Sequence, residues 1–195
     1  MLDNIFIGFY LIAFIAEILI QLLYLRKIKQ NRITDDRKKG LERLLLFLLL
    51  LGMKVIPLLY ILTPLLGFAD YHLPVLAGWI GVGIMITAVS VFWKSHADLG
   101  RNWSQTLQIK EEHILVTRGI YHLIRHPMYA AQWLWCIAQA LLLQNWIAGF
   151  SRLVVFLPLY LLRVPREEEM MIDHFGEEYR LYITCTGRII PRLWR

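Results

Sequence analysis

Residues 125–162 read RHPMYAAQWLWCIAQALLLQNWIAGFSRLVVFLPLYLL. Two apolar runs, about Pro127 to Leu143 and Ile147 to Leu162, are separated by a tight polar turn near Gln144, Asn145 and Gly149. Each run is slightly short of the roughly 20 residues that cross hydrocarbon as a helix. A hairpin that crosses and returns is the simplest reading, accommodated by a thinner bilayer or by burial among neighbouring helices. Proline has no N–H and a fixed φ, so it suits a first helical turn. Pro127 therefore predicts that the first arm starts at His126. Its unpaired N–H groups and positive dipole end then make that corner suited to an anion.

Outward from the hairpin, hydropathy predicts three earlier spans, about Ile5 to Leu25, Leu41 to Leu62 with Pro57 inside, and Pro74 to Trp93. The chain has 195 residues, 57% hydrophobic and 18% charged. A soluble domain carries about a quarter charged residues, so the surplus apolar surface must face lipid. The sequence predicts an all-α polytopic membrane protein of about five helices, one domain over 1–195. Residues 1–93 supply three N-terminal spans, and 94–195 supply a half bearing chemistry. The first apolar run follows an acidic leader and is too long for a signal peptide, so none is expected. Cys136 and Cys185 offer neither a disulfide framework nor metal-ligand spacing.

The net charge of +6 reads as topology rather than as nucleic-acid binding. Eight Lys and Arg fall between Arg26 and Arg43, five between Lys94 and Arg125, and six from Arg163 onward, with none in the connector after the second span. Five spans put all these groups on one face. The positive-inside rule makes that face cytoplasmic, with the N-terminus outside. Four spans would split them.

The unusual residues concentrate in Gln108–Tyr129 and Arg163–Tyr182, which flank the hairpin and so meet at one membrane face. His126 and Tyr129 are three apart and share a helix face. Ile114, Leu115 and Val116 read as a short extended segment, with Gly119 at a turn, whose free backbone groups suit an adenine or amino-acid moiety. An interfacial anchor and a linker would account for the same residues without chemistry. Arg163 and Glu167 are four apart on one face, with Pro165 placed to bend the helix between them. If exposed they are an ion pair worth about 0–1 kcal/mol. If sheltered, Arg163 suits bidentate binding of a carboxylate, and Glu167 suits an ammonium or ribose. Glu167, Glu168 and Glu169 point three ways, so at most two face a site. Phe175, Tyr179 and Tyr182 recur at helical spacing as a packing stripe. Glu17 and Lys54 are costly in lipid and are expected to pair. GWIGVG, residues 78–83, lies inside a span with no preceding strand, so close helix packing explains it better than a dinucleotide loop. His122 and His126 are four apart, but Pro127 interrupts the helix that a zinc pair would need.

RHPMYAAQWLW followed by REEEMMIDHFGEEYRLYITCTGRIIP resembles the isoprenylcysteine carboxyl methyltransferase family and its wider phospholipid-methyltransferase relatives, over about Gln108 to Pro191. One departure is the absence of a valine-proline near the tail aromatics, where ITCTGRIIP stands. The resemblance implies S-adenosylmethionine bound at the cytoplasmic face, in a pocket formed by the 94–127 segment and the tail. The implied cofactor contacts are Gln108, His113, Ile114, Leu115, Val116, Tyr121, His126, Pro127, Met128, Tyr129 and Glu167. Arg163 is the implied holder of a substrate carboxylate, and Arg163 with Glu167 the catalytic pair. The implied substrate is a prenylated C-terminal cysteine entering from lipid. A carboxylate is ionised at neutral pH, so in-line displacement needs alignment and no general base. Phospholipid N-methyl transfer would use the same cofactor face. Membrane sterol-type reductases share a similar RHP-containing tail but use NADPH, and this chain is short for that family. A non-catalytic scaffold would use the basic loops to bind anionic lipid.

Overall fold

The structure is a computed structural model that describes residues 2–28, 33–36, 40–100, 108–110 and 114–192. Its elements run α1 (Leu2–Ile28), β1 (Ile33–Asp36), α2 (Gly40–Leu50), α3 (Ile56–Leu62), α4 (Val75–Leu99), β2 (Gln108–Lys110), α5 (Pro127–Leu143), α6 (Trp146–Phe175) and α7 (Glu177–Cys185). Four helical stretches are long and apolar enough to cross a membrane: Asn4–Leu25, Leu44–Leu62, Val75–Leu99 and Trp146–Phe175. The fifth, α5, has 17 residues, or about 25 Å of rise, at the lower limit for a span. It packs along α4 on one side and α6 on the other, so burial among neighbours compensates for its length.

The helical architecture expected from hydropathy is present, with one small addition. β1 and β2 form a two-stranded antiparallel ladder, pairing Ile33 with Lys110 and Asp36 with Gln108 around an irregularity between Ile33 and Asp35. Both strands lie in the polar segments outside the spans, where extended backbone can pair its N–H and C=O groups across two loops.

α2 and α3 are one continuous rod interrupted by a wide turn at Leu51–Val55, where Ile56 N–H bonds Leu51 O. Pro57 removes a donor from the ladder just after this point, and a five-residue turn is one way a helix absorbs such a defect. Gly52 in that turn touches α6. A Cβ there would meet Ser151 O at 2.7 Å, and Ser151 Oγ donates to Gly52 O at 2.7 Å.

The main core lies between α1, α4 and α5, around Phe6, Tyr10, Met85, Trp135 and Leu142. Gly78 and Gly81 of GWIGVG serve it, whereas Gly83 faces open space. A Cβ at Gly78 would sit 2.3 Å from the Phe6 ring, and one at Gly81 2.9 Å from Leu141 Cβ. Close helix approach is thus the use of this motif.

The hairpin turn is tight, as expected, with only Gln144 and Asn145 between the helices and Gly149 already inside α6. Gln144 caps α5 in the left-handed region at φ 45°. Asn145 caps α6, its side chain accepting from Ile147 N and Ala148 N at 3.0 and 2.8 Å. Its amide nitrogen donates to Leu66 O and Asp70 Oδ1 at 2.7 and 2.8 Å. The turn is thereby tied to the connector after α3, where Tyr71 N–H and Leu73 N–H also bond Gln144. Asn145→Ala removes a cap worth about 1 kcal/mol and strands buried partners. We expect a total loss of about 2–3 kcal/mol, visible as a lower Tm in detergent.

Candidate active site

Opposite the turn, the other ends of α5 and α6 meet the tail. α5 starts where the proline predicts, with His126 as its N-cap and Pro127 in its first turn. The chain after α7 crosses this corner in strand-like fashion. Arg125 N–H bonds Gly187 O and His126 N–H bonds Arg188 O, both at 2.9 Å. The ITCTGRIIP segment therefore supplies backbone acceptors where a valine-proline was expected.

Glu168 fastens the crossing. Its carboxylate, 8% exposed, accepts from Arg125 Nε at 2.7 Å, His126 Nε2 at 3.2 Å and Arg188 Nη2 at 2.5 Å. It lies beyond Arg163, past the apolar part of α6. Burial alone would raise its pKa, but hydrogen bonds from His126, Arg188 and Arg125 together hold it well below the usual carboxylate range. Breaking a buried ion pair from one side is costly because the partners stay charged. Glu168→Ala is therefore expected to loosen the tail, speeding hydrogen exchange of the α7 amides by about tenfold or more.

The tyrosine stripe divides. Tyr179 and Tyr182 are buried, and Tyr182 OH donates to Tyr121 O at 2.5 Å. Burial pushes the phenols of Tyr121, Tyr179 and Tyr182 up, so all three remain neutral donors. Phe175 is half-exposed.

Between corner and tail lies a cavity of about 470 Å³, within the 300–1,000 Å³ of ordinary ligand pockets. Among the residues singled out from sequence, Ile114, Leu115, Val116, Tyr121, His126, Pro127, Met128, Tyr129, Arg163 and Glu167 all line it. Gln108 falls in β2 and only its backbone is described; His113 lies outside the described residues. Ile114 to Thr117 is irregular rather than a strand, with Val116 buried. Tyr129 OH donates to Glu167 Oε2 at 2.8 Å, which fixes that carboxylate at the cavity wall. Glu168 faces the corner and Glu169 is exposed, so the acidic triplet splits as helix geometry requires. Pro165 lies within α6, which runs through it unbroken.

Further lining residues had no signal of their own in the sequence: Phe92 and His96 on α4, Met170 and Met171 on α6, and Gln21 and Gln132 on α1 and α5. Below the cavity, Glu17 is gripped by Lys54 Nζ and by Arg152 Nη2, each at 2.5 Å. The expected Glu17–Lys54 pair is present, and Arg152 is a third member. Arg152, in the second apolar run of the hairpin, is fully buried inside α6, which begins at Trp146.

The fold and cavity define a polytopic helical membrane protein whose largely apolar pocket carries a few charged and polar side chains between its helix ends. Residues 79–173, just under half of the chain, match the isoprenylcysteine carboxyl methyltransferase (ICMT) family. Protein-S-isoprenylcysteine O-methyltransferase B of Arabidopsis thaliana is 33% identical over 94 residues, 47% of this chain and 48% of its own. The Homo sapiens protein-S-isoprenylcysteine O-methyltransferase is 35% identical over 85 residues, 43% and 30% of the two chains. The Dictyostelium discoideum enzyme is 28% identical over 115 residues, 58% and 48%. The matches span about half the length of these relatives or less. The fold is similar to that of the eukaryotic intramembrane Ras methyltransferase ICMT, with a TM-score of 0.54 at 21% identity, covering 80% of this chain and 54% of that one.

Proposed function

We propose that this protein transfers a methyl group from S-adenosylmethionine to the carboxylate of a lipophilic acceptor of the prenylcysteine type. The observation that carries this reading is that one cavity gathers the RHPMY corner, Arg163 and Glu167. The names of the relatives support the acceptor class.

The lining fits the cofactor's chemistry. Its ammonium or ribose hydroxyls need an anionic acceptor, which Glu167 offers in a position set by Tyr129. Its carboxylate suits the N-terminal end of α5 at His126 to Tyr129. Its adenine suits the apolar side chains and irregular backbone of Ile114 to Val116, with Tyr121 beside them; Gln108 and His113 belong to the same proposed set. When bound, S-adenosylmethionine supplies a methyl on a sulfonium.

Arg163 binds the acceptor carboxylate through two parallel N–H donors and aims one oxygen along the line of displacement. It has no proton to accept, and none is needed. The tail, held by Glu168, excludes water from the nucleophile. The acceptor enters from the bilayer. The positive-inside pattern supports a site at the cytoplasmic face of an integral membrane protein. The whole chain works as one unit, since α1 and α2 bring Gln21, Leu46 and Leu49 to the cavity.

Calorimetry with S-adenosylmethionine in detergent, followed by methyl-labelled cofactor with a prenylcysteine analogue and with phosphatidylethanolamine, tests this. The expected result is a heat of binding and a base-labile label on the prenylcysteine. No binding overturns the proposal, and label on phosphatidylethanolamine replaces it with N-methyl transfer.

A further inference from the structure

The cavity has a polar floor at membrane depth, where hydrocarbon would be expected. Its middle is walled by Leu46, Leu49, Met53, Phe92, Phe156 and Leu159, but Gln132 and Gln21 also line it. Gln132 Oε1 accepts from Arg152 Nε at 3.1 Å and from Arg152 Nη2 at 2.7 Å. A guanidinium only donates, so the oxygen of this amide must face Arg152 and its NH₂ must face away. Arg152 is itself fixed by Glu17 at 2.5 Å and lies over the Trp135 ring at 4.4 Å. Both Glu17 and Arg152 are buried, at 1% and 0% exposure, so the cavity ends at the amides and a charge cluster seals it beneath.

We propose that Gln132, locked by Arg152 and Glu17, is a specificity-determining residue that limits how long a hydrocarbon chain the cavity accepts. The inference rests on the proposed reading in one respect, that the ligand is a carboxylate amphiphile held at Arg163. Arg163 and Arg152 are eleven residues apart on α6, about 16 Å of helix rise. A ligand chain descending from Arg163 therefore meets apolar walls for most of that depth. A chain reaching the floor covers the Gln132 NH₂ with hydrocarbon. A buried amide donor that loses its solvation without gaining a partner is penalised. Shorter chains leave the donor its access to water and gain only from the walls.

The test is binding of S-prenylcysteine analogues with two, three and four isoprene units, by calorimetry in detergent. Partition into micelles is common to all variants and cancels between them. In the wild type, affinity should rise with length and then fall about tenfold at one step of the series. Gln132→Leu should move that step to a longer chain or erase it. Gln132→Glu keeps an acceptor for Arg152 and removes the donor, placing a carboxylate at the floor. It should sharpen the step or bring it to a shorter chain. Thermal unfolding establishes that each variant is folded. If the leucine variant fails to fold, the glutamate variant alone decides by the direction of its shift. Three coincident length profiles, or a glutamate variant that tolerates longer chains, overturn the floor. Turnover is read separately, so failure of methyl transfer counts against the proposed reaction and leaves the length profile to judge Gln132.

Discussion

Arg163→Ala is expected to abolish methyl transfer while S-adenosylmethionine affinity stays within about twofold. In the proposed reaction the nucleophile is a carboxylate, ionised at neutral pH, so orientation is what that reaction needs above all. Orientation and proximity supply as much as about 7–11 kcal/mol in well-ordered cases. Losing even a third of that lowers kcat by about 10² or more. Lysine should restore little, because a point charge does not reproduce the planar, two-point grip of a guanidinium. Glu167→Ala should do the reverse. Its carboxylate is held by Tyr129 OH at the wall of the cavity, on the helix turn next to Arg163, and its loss should weaken the cofactor about tenfold or more while leaving acceptor binding intact. Tyr129→Phe should show a smaller version of the same effect, since it removes only the hydrogen bond that positions Glu167. Two titrations and a turnover assay separate these outcomes. If Arg163→Ala and Glu167→Ala both methylate normally, the roles given to these side chains are wrong.

The residues that share a face were legible because helix periodicity is local. Pro127 marks the start of α5, and the four-residue spacing of Arg163 and Glu167 puts both on the cavity side of α6. That the two segments meet followed from the hairpin between them. Contacts that depend on where a third element lands were not legible. Glu168 stands in a run of three acids, and nothing local distinguishes it; only the return of the tail brings Arg188 within reach. Gln132 and Gln21 are common polar residues in apolar runs, and their place at the cavity floor depends on how α1 lies against α5. Arg152 stands in the hairpin's second apolar run, after a turn expected near Gln144, Asn145 and Gly149. The structure confines that turn to Gln144 and Asn145, and two more turns of helix carry the arginine into the protein. Pro165 lies between Arg163 and Glu167 and does not stop the helix. The strand pairing of β1 and β2 lies in polar segments whose sequences carry no alternation.

Arg152→Met is expected to destabilise the protein by about 3–5 kcal/mol, the cost of removing one side of a buried ion pair. Glu17 would keep Lys54 as a partner, but Gln132 would lose both of its donors and the Trp135 ring its cation. Glu17→Gln should be as damaging for the opposite reason, since it leaves two cations around a neutral amide. The native cluster already holds two cations for one carboxylate, and Arg152 Nη1 has no hydrogen-bond partner among the described residues. The aromatic faces take up part of that excess: Arg152 lies 4.4 Å from the Trp135 centroid and Lys54 4.6 Å from that of Phe14, each contact worth about 0.5–2 kcal/mol. Lys54→Met should cost less than either, because the lysine keeps 19% side-chain exposure and its loss brings the remaining charges to balance. The combination of Glu17→Gln with Arg152→Met should then be milder than the sum of the two, by about 1 kcal/mol or more, since neither leaves the other's partner buried and charged. Denaturant unfolding of the four proteins in one detergent gives the coupling directly. Additive losses would mean that the guanidinium and the carboxylate are each stabilised by something other than one another, and that the seal beneath the cavity is two separate features.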